Sequence, residues 1–534
     1  MGIYINRGNS SFTSARRSEY VDKSELVSFI NGTINTGCRL TCVSRARRFG
    51  KSMAAQMLYA YYDKSCDSRP LFEDLKVAAP ENAANKNPDT AFETHLNKYP
   101  TIYIDVTDFT SNYHNCDNIV EILVKKVKKD VVSAYPDLSF DPEDGLMDTL
   151  LTVTEHTGEQ FILIIDEWDA LCRELANKPQ LMEDYVRLLR SLFKAGNTDR
   201  VFAAVYMTGI IPIKQYGTQS TLNNFQSYSM TNPGRLASYF GFTTDEVKAL
   251  CQKYAMSYQE MKKWYDGYEM GDAGHMFNPT SVMRAIHMRQ FDNYWSQTSS
   301  FEAIRNYINM DFDGVKQTIE NLLIGNEEKV PVLNYGNDRN DINSRDELFA
   351  LLTHYGYFAY NNCTQTVRIP NQEVRAELLQ VVKTGNRPEL VRLIKDSDTL
   401  LEATLAMDEE YVAEALDTFH SQYATPRFYN NEQALRALVR YAYIGATGSF
   451  VPMEELPTGK GFADVAFIPA RPNGQPVILV ELKYAETADT AIQQIKDRRY
   501  PEKLVPFTDN LLLVGISYDK ETKKHSCKIE LYKE

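Results

Sequence analysis

Two groups of residues in this chain have the types and spacing for chemistry on phosphates. Gly50, Lys51 and Ser52 close the segment SRARRFGKS (Ser44 to Ser52), which stands between the apolar run Leu40 to Val43 and the helical pattern SMAAQMLYAYY (Ser52 to Tyr62). A turn between a buried strand and a helix aims its backbone N–H groups at an anion. Lys51 would then reach the outer phosphates of a nucleoside triphosphate, with Arg45, Arg47 and Arg48 surrounding them with positive charge. Asp166 and Glu167 end another apolar run, FILIIDE. Asp166, with the Ser52 hydroxyl, could hold Mg²⁺ there while Glu167 polarises water. Thr208 follows the run Val201 to Met207, where a hydroxyl could sense a γ-phosphate, although threonine is common at strand ends.

The phosphate loop departs from its usual form. The pattern G-x-x-x-x-G-K-[ST] needs glycine five residues before Gly50, and this chain has Arg45. An arginine should stiffen the loop and crowd its first turn. Phosphate cradling survives that change more readily than hydrolysis does. The alternative is a surface basic cluster followed by a helix-start glycine, with the two acidic residues there by coincidence.

The second group lies toward the C-terminus. Glu432 opens the helical pattern EQALRALVRYAYI, Asp464 leads into VAFIP, and an Asn473-Gly474 turn precedes VILVELKY (Val477 to Tyr484). The bare triplet [DE]-x-K carries little weight, since it also occurs at Asp74 to Lys76, Glu246 to Lys248, Glu260 to Lys262, Glu327 to Lys329 and Glu521 to Lys523. Context separates Glu481-Leu482-Lys483 from these. On a strand, Glu481 and Lys483 project from one sheet face, and a hairpin from Asp464 brings a second carboxylate beside them. Asp464 and Glu481 would hold Mg²⁺, with Glu432 completing the metal shell. Lys483 would orient water and neutralise charge at a phosphodiester. The competing account makes Asp464 a hairpin cap, Glu481 and Lys483 a same-face ion pair, and Glu432 a helix-start residue; an exposed pair of that kind contributes only about 0–1 kcal/mol.

Tyr20-Val21-Asp22-Lys23-Ser24, the SRARRFGKS loop, IIDEWDA, MTGIIPI (Met207 to Ile213) and WYDGY (Trp264 to Tyr268) together resemble the predicted AAA-ATPase-like family of bacteria, and the likeness spans nearly the whole chain. That family commonly carries a C-terminal PD-(D/E)XK nuclease-like domain. Arginine commonly stands there where the first loop glycine would be, so Arg45 fits the family, whereas Ala46 stands where proline is more frequent. ATP and Mg²⁺ are the expected cofactors and nucleic acid the expected partner, DNA ahead of RNA, although no base-reading motif separates the two. The resemblance implies that Gln494, with Tyr500 further along, matches the QxxxY-like extension of many PD-(D/E)XK members and could position water or backbone. Gln493 adjoins it, so the match could sit one residue away.

Composition bounds the remainder. A chain of 534 residues exceeds one hydrophobic core and implies several domains. Its 43% hydrophobic and 24% charged residues are those of an ordinary globular protein, and no apolar run approaches the roughly 20 residues that span a bilayer. The N-terminus, MGIYINRGNSSF, lacks a secretory pattern, which leaves the cytoplasm as the expected compartment. Eight cysteines without CxxC pairs argue for thiols rather than zinc ligands. A net charge of −13 excludes a chain that coats nucleic acid over its whole surface. Local basic clusters remain, at Arg45, Arg47 and Arg48 and at Lys496, Arg498 and Arg499; each could equally be a solvated helix face.

The expected fold is α/β. Runs at Arg39 to Val43, Thr101 to Val106, Phe161 to Ile165 and Val201 to Met207 alternate with helices such as Ile119 to Ala134 and Leu181 to Ala195, giving a mostly parallel P-loop (AAA-like) sheet over 1–232. The stretch Ala79 to Asn97 reads as a loop followed by a short helix. From Asn232 the β signal fades, and 233–384 reads as a helical lid, starting from the helix signal Phe242 to Val247. Helix, Gly356, strand and strand between Asp346 and Asn371 would suit a winged-helix element, either a DNA reader or a structural piece of the lid. Residues 385–534 read as a restriction-endonuclease-like α/β domain. A homo-oligomer is compatible with the family, though no arginine finger can be named. Besides an ATPase joined to a nuclease, the chain could be a nucleotide-switched signalling or scaffold protein whose C-terminal domain binds without cutting.

Overall fold

The computed structural model of the chain describes residues 2–79, 91–175, 178–194, 196–213, 222–295, 313–332, 342, 344–384, 388–423, 432–448, 450–458, 461–469, 475–498 and 510–532. The Asn473-Gly474 turn, Arg499, Tyr500 and most of the loop after Ala79 lie outside them. The chain divides into two compact units: Met1–Lys262 with Asp266–Met288 and Lys329–Val367, and Lys263–Tyr265 with Arg289–Glu328 and Arg368–Glu534.

In the first unit the apolar runs LTCVS, FILIID and FAAVYMTG are buried along their whole length, which a strand tolerates only when both sheet faces are covered. They form β1 (Leu40–Ser44), β3 (Phe161–Asp166) and β4 (Phe202–Gly209), joined by β2 (Thr101–Asp105) and β5 (Gln226–Tyr228). All pairings are parallel, in the order β2-β3-β4-β1-β5. Because β4 lies between β1 and β3, the carboxyl ends of three strands meet where the chain order is broken, the place at which open α/β sheets bind ligands. One face packs Leu163, Val205 and Met207 with the helices Ile119–Ala134, Leu146–Thr157 and Pro179–Phe193. The other packs Ile162, Ile164 and Tyr206 with α1 (Lys51–Tyr62), through Ala55, Leu58 and Tyr62. A short α2 (Ala170–Glu174) follows β3.

Two sequence expectations need correction here. Val106 does not extend β2; it starts a helix whose N-cap is Asp105, accepting the Thr107 N–H at 2.9 Å. Strands also occur after Asn232 beyond the two expected near Gly356. Phe242–Thr243, His275–Phe277 and Tyr268–Glu269 form a small antiparallel sheet, with strands too short to show an alternation in sequence. The capping box of the helix Thr244–Tyr254 is present, with the Thr243 N–H donating to Glu246 Oε2 at 2.8 Å. The helix Arg345–Tyr355 ends at Gly356, whose φ of 89° is the left-handed cap glycine permits, and the paired strands Ala359–Asn361 and Thr366–Arg368 follow.

The second unit contains the helices Pro388–Leu405, Glu409–Tyr423 and α3 (Glu432–Ala442), then a five-stranded sheet. Its strands, β6 (Phe450–Thr458), β7 (Gly461–Pro469), β8 (Val477–Tyr484), β9 (Leu511–Asp519) and β10 (Lys524–Leu531), lie side by side in sequence order. All neighbours are antiparallel except β8 and β9, which are parallel and therefore need a crossover. That crossover carries α4 (Ala488–Asp497). It approaches β9 closely because residue 515 is glycine; a Cβ there would collide with the Ala488 carbonyl oxygen. Gly515 is the register partner of Glu481, so this approach also brings α4 over the acidic strand.

Candidate functional site

In the first unit the loop after β1 turns at Arg48 (φ 70°) and Gly50 (φ 87°), the second of which is the N-cap of α1. Arg45 is not among the left-handed residues, so the position usually held by the first loop glycine does not require one here. Arg45 also does not line the phosphate position, contrary to the sequence expectation. Its side chain is fully buried, donates to the carbonyl oxygens of Ser44 and Tyr228 at 3.0 Å each, and lies 5.4 Å from the Phe240 ring centroid. Burial lowers its pKa to about 10. Arg47 and Arg48 are half-buried, and the charge of Arg47 acts on Glu167.

Lys51, 4% exposed, donates to the carbonyl oxygens of Arg45 at 3.1 Å and Ala46 at 3.2 Å, and lies 3.2 Å from Glu167 Oε1. Ser52, beside it, is exposed. Glu167 has a left-handed backbone (φ 51°), and its other oxygen takes the Arg173 guanidinium at 2.6 Å. Burial pushes its carboxyl up, but Lys51 and Arg173 outweigh that and hold it below its ordinary value. Arg173, on α2, also bonds Asp169 at 3.1 Å, and Asp169 accepts the N–H groups of Ile210 and Ile211 at 3.1 and 2.8 Å. This ties the IIDEWDA segment to MTGIIPI.

Asp166 is 1% exposed and accepts from the Tyr103 hydroxyl at 2.9 Å and from Thr208 Oγ1. Thr208 Oγ1 also accepts the Glu167 N–H at 3.2 Å. Thr208 is fully buried, so its hydroxyl positions the acidic pair instead of presenting itself to a γ-phosphate as expected. Tyr103, Asp169 and Arg173 were not singled out in the sequence. The i,i+4 spacing of Asp169 and Arg173 was the available signal for the latter two.

In the second unit all five expected residues come together. Asp464 accepts the Leu482 N–H at 2.9 Å and pairs with Arg436 of α3. Glu481, 2% exposed, takes the Gln494 amide on Oε1, while Oε2 is buried with no hydrogen-bond partner among the described residues. Burial first, and then the charge of Asp464, raises its pKa to about 8 against the pull of Lys483 and Arg498. Lys483 Nζ is 3.9 Å from Glu432 Oε1. Gln493 bonds Asp497 instead, so of the two glutamines Gln494 is the one that meets Glu481. Glu432 is an exposed partner of Lys483 and does not complete a three-carboxylate cluster; among the described residues no group of three or more His, Cys, Asp or Glu is arranged to hold a metal ion. Arg436 was missed, although it stands four residues after Glu432 on the same helix face. Lys496 of the expected basic patch pairs with Glu530 at 2.6 Å.

Residues 7–218 match the family model described as predicted AAA-ATPase, and residues 430–527 match that of the PD-(D/E)XK nuclease superfamily. An "uncharacterized protein in vnfD 5′ region" of Azotobacter chroococcum mcd 1 is 24% identical over 390 residues, covering 68% of this chain and 70% of that protein. Among solved structures, the Aeropyrum pernix ORC2 protein in its ADPNP–ADP complexes covers 69% of this chain and 93% of its own at 11% identity and a TM-score of 0.27. AMPPCP-bound DnaA from Aquifex aeolicus covers 72% and 92% at 9% identity and the same TM-score. Among the described residues no helix is long and apolar enough to cross a membrane.

Proposed function

We propose that this chain, which joins an AAA-ATPase-like segment to a PD-(D/E)XK nuclease-like one, is a cytoplasmic ATP-hydrolysing protein that controls a metal-dependent nuclease acting on nucleic-acid phosphodiesters. The residues fit ATP at the first site, and at the second two carboxylates supply part of the shell of a divalent cation. A buried lysine held by loop carbonyls and one carboxylate suits a triphosphate at the start of a twelve-residue helix. A buried carboxylate oxygen with no partner among the described residues, and a second carboxylate nearby, suit a hard divalent cation.

At the first site Lys51 and the loop amides would hold the phosphates, with Ser52 and Asp166 for Mg²⁺. Bound Mg²⁺-ATP supplies a phosphoryl group open to attack by water. Glu167, kept ionised by its cations, would accept the proton of that water, and Thr208 and Tyr103 fix the acidic pair. At the second site Asp464 and Glu481 would hold Mg²⁺, which polarises a phosphodiester and activates water. Lys483 would neutralise charge on the phosphate, and Gln494 orients Glu481. The domain limits 1–232, 233–384 and 385–534 are part of the proposal.

The observation that carries this reading is the buried Glu481 Oε2 beside Asp464, which has no hydrogen-bond partner among the described residues. Purified protein with Mg²⁺ or Mn²⁺ and ATP should cleave DNA, with RNA as the parallel substrate, and Asp464→Ala should abolish cleavage. Equal cleavage by that variant, or none by wild type under any metal or nucleotide condition, removes the nuclease assignment. The pairing of Asp464 with Arg436 favours a second reading, in which the C-terminal domain binds nucleic acid without cutting. Metal-independent binding without cleavage identifies that case.

A further inference from the structure

We infer that Arg436 competes with a divalent cation for Asp464, and that on release its guanidinium takes a nucleic-acid phosphate, so that this one side chain sets the metal affinity of the second site. The inference rests on the nuclease-type reading of that site. Asp464 has both oxygens engaged, Oδ1 by Arg436 and Oδ2 by the Leu482 N–H. Glu481 has one engaged, and among the described residues Oε2 has no hydrogen-bond partner. A hard divalent cation needs more oxygen than that single atom. The Leu482 N–H is a neutral donor that leaves lone pairs free on Asp464, whereas the Arg436 guanidinium is itself a cation on a flexible side chain, so Arg436 is the group that competes with a divalent cation.

The exchange is balanced rather than forbidden. The Arg436 and Asp464 side chains are 21% and 13% exposed, so their pair is more shielded than a surface ion pair but still reached by water. A displaced guanidinium presents a rigid fork of donors that matches phosphate oxygens, which an ammonium does not. Lys483, held near Glu432 on the same helix, is a second cation at the same place. Linkage makes the effect reciprocal: a phosphate that draws Arg436 away from Asp464 eases cation entry, and a bound cation frees Arg436 for phosphate.

The test is Mn²⁺ binding to the full chain without nucleotide, followed by the electron-spin resonance of free Mn²⁺, for wild type, Asp464→Asn, Arg436→Gln and Arg436→Lys. Asp464→Asn should lose one Mn²⁺ site. Arg436→Gln should bind Mn²⁺ at that site about tenfold more tightly than wild type, while its affinity for a short fluorescent oligonucleotide falls by a similar factor. Arg436→Lys, which keeps the charge and loses the fork, should fall between them, and it serves as the test if Arg436→Gln does not fold by circular dichroism. Wild-type or weaker Mn²⁺ affinity in the folded Arg436 variants, with the Asp464-dependent site still present, overturns this inference alone. Absence of any Asp464-dependent site in all four proteins overturns the underlying reading and the inference with it.

Discussion

Lys51 Nζ lies 3.2 Å from Glu167 Oε1, so the cation that would bind phosphate and the carboxylate that would activate water neutralise each other. A triphosphate must draw Lys51 from Glu167, leaving that carboxylate to Arg173. Binding and turnover should therefore separate by residue. Lys51→Ala should weaken binding of a fluorescent ATP analogue about tenfold or more, through loss of a charge-assisted contact. Glu167→Gln should keep binding within a few-fold while turnover drops about a hundredfold or more. Unchanged turnover in both variants would remove the ATPase assignment.

Arg45 separates structure from ligand binding. Its guanidinium is fully buried and bonds two carbonyl oxygens. Arg45→Ala should cost about 2–4 kcal/mol through lost packing and two unsatisfied carbonyls, seen as an earlier urea midpoint. The folded fraction should bind nucleotide nearly as wild type does. A selective loss of nucleotide affinity at unchanged stability would return Arg45 to the phosphate cradle.

What was legible followed from how many residues carried each signal. β1, β3 and β8 are uninterrupted apolar runs ending in charged or polar chemistry, and their positions, with Asp166, Glu167, Glu481 and Lys483, could be read directly. The three-residue β5 and the two- and three-residue strands near Phe242 are held by tertiary contacts and have no periodicity to read. Side-chain direction was the other limit. Spacing placed Arg45 and Thr208 beside the nucleotide position, but it could not tell that one turns to Tyr228 and the other to Asp166. Arg436 and Arg173 escaped for the same reason, since an arginine on an amphipathic helix looks solvated until its acidic partner is placed.

The tip of the phosphate loop is anchored by an aromatic contact. Phe49 is buried edge-on against Tyr268, with ring centroids 5.2 Å apart, in a cluster with Met230, Met270 and Met276. The Tyr268 hydroxyl reaches the Gly356 carbonyl oxygen at 2.6 Å. Tyr268 of the WYDGY segment thus meets the loop directly. Phe49→Ala should cost about 3–5 kcal/mol and loosen the loop, seen as faster amide exchange over residues 45–52. Tyr268→Phe keeps the ring and loses only the hydroxyl, so it should cost about 1–3 kcal/mol with loop exchange near wild type. Equal loop exchange in wild type and Phe49→Ala would show that the contact does not hold the loop.

The raised pKa of Glu481 gives the second site a pH signature that needs no substrate. Burial and the neighbouring Asp464 place it at about 8, against 4.5 for an ordinary glutamate, so the folded state holds a proton that the unfolded state releases. The stability contributed by the neutral carboxyl is fully present below the ordinary value and is lost as pH rises through about 8. In the presence of a chelator, wild type should therefore lose thermal stability relative to Glu481→Gln between about pH 5 and about pH 9, by a few degrees. Other groups that titrate in this window are shared by both proteins and cancel in the comparison. Adding Mn²⁺ at the alkaline end should restore wild type, because a bound cation stabilises the ionised carboxylate, and should leave Glu481→Gln nearly unmoved. Parallel melting curves for the two proteins across the whole range would mean that Glu481 is already ionised and compensated in the metal-free fold.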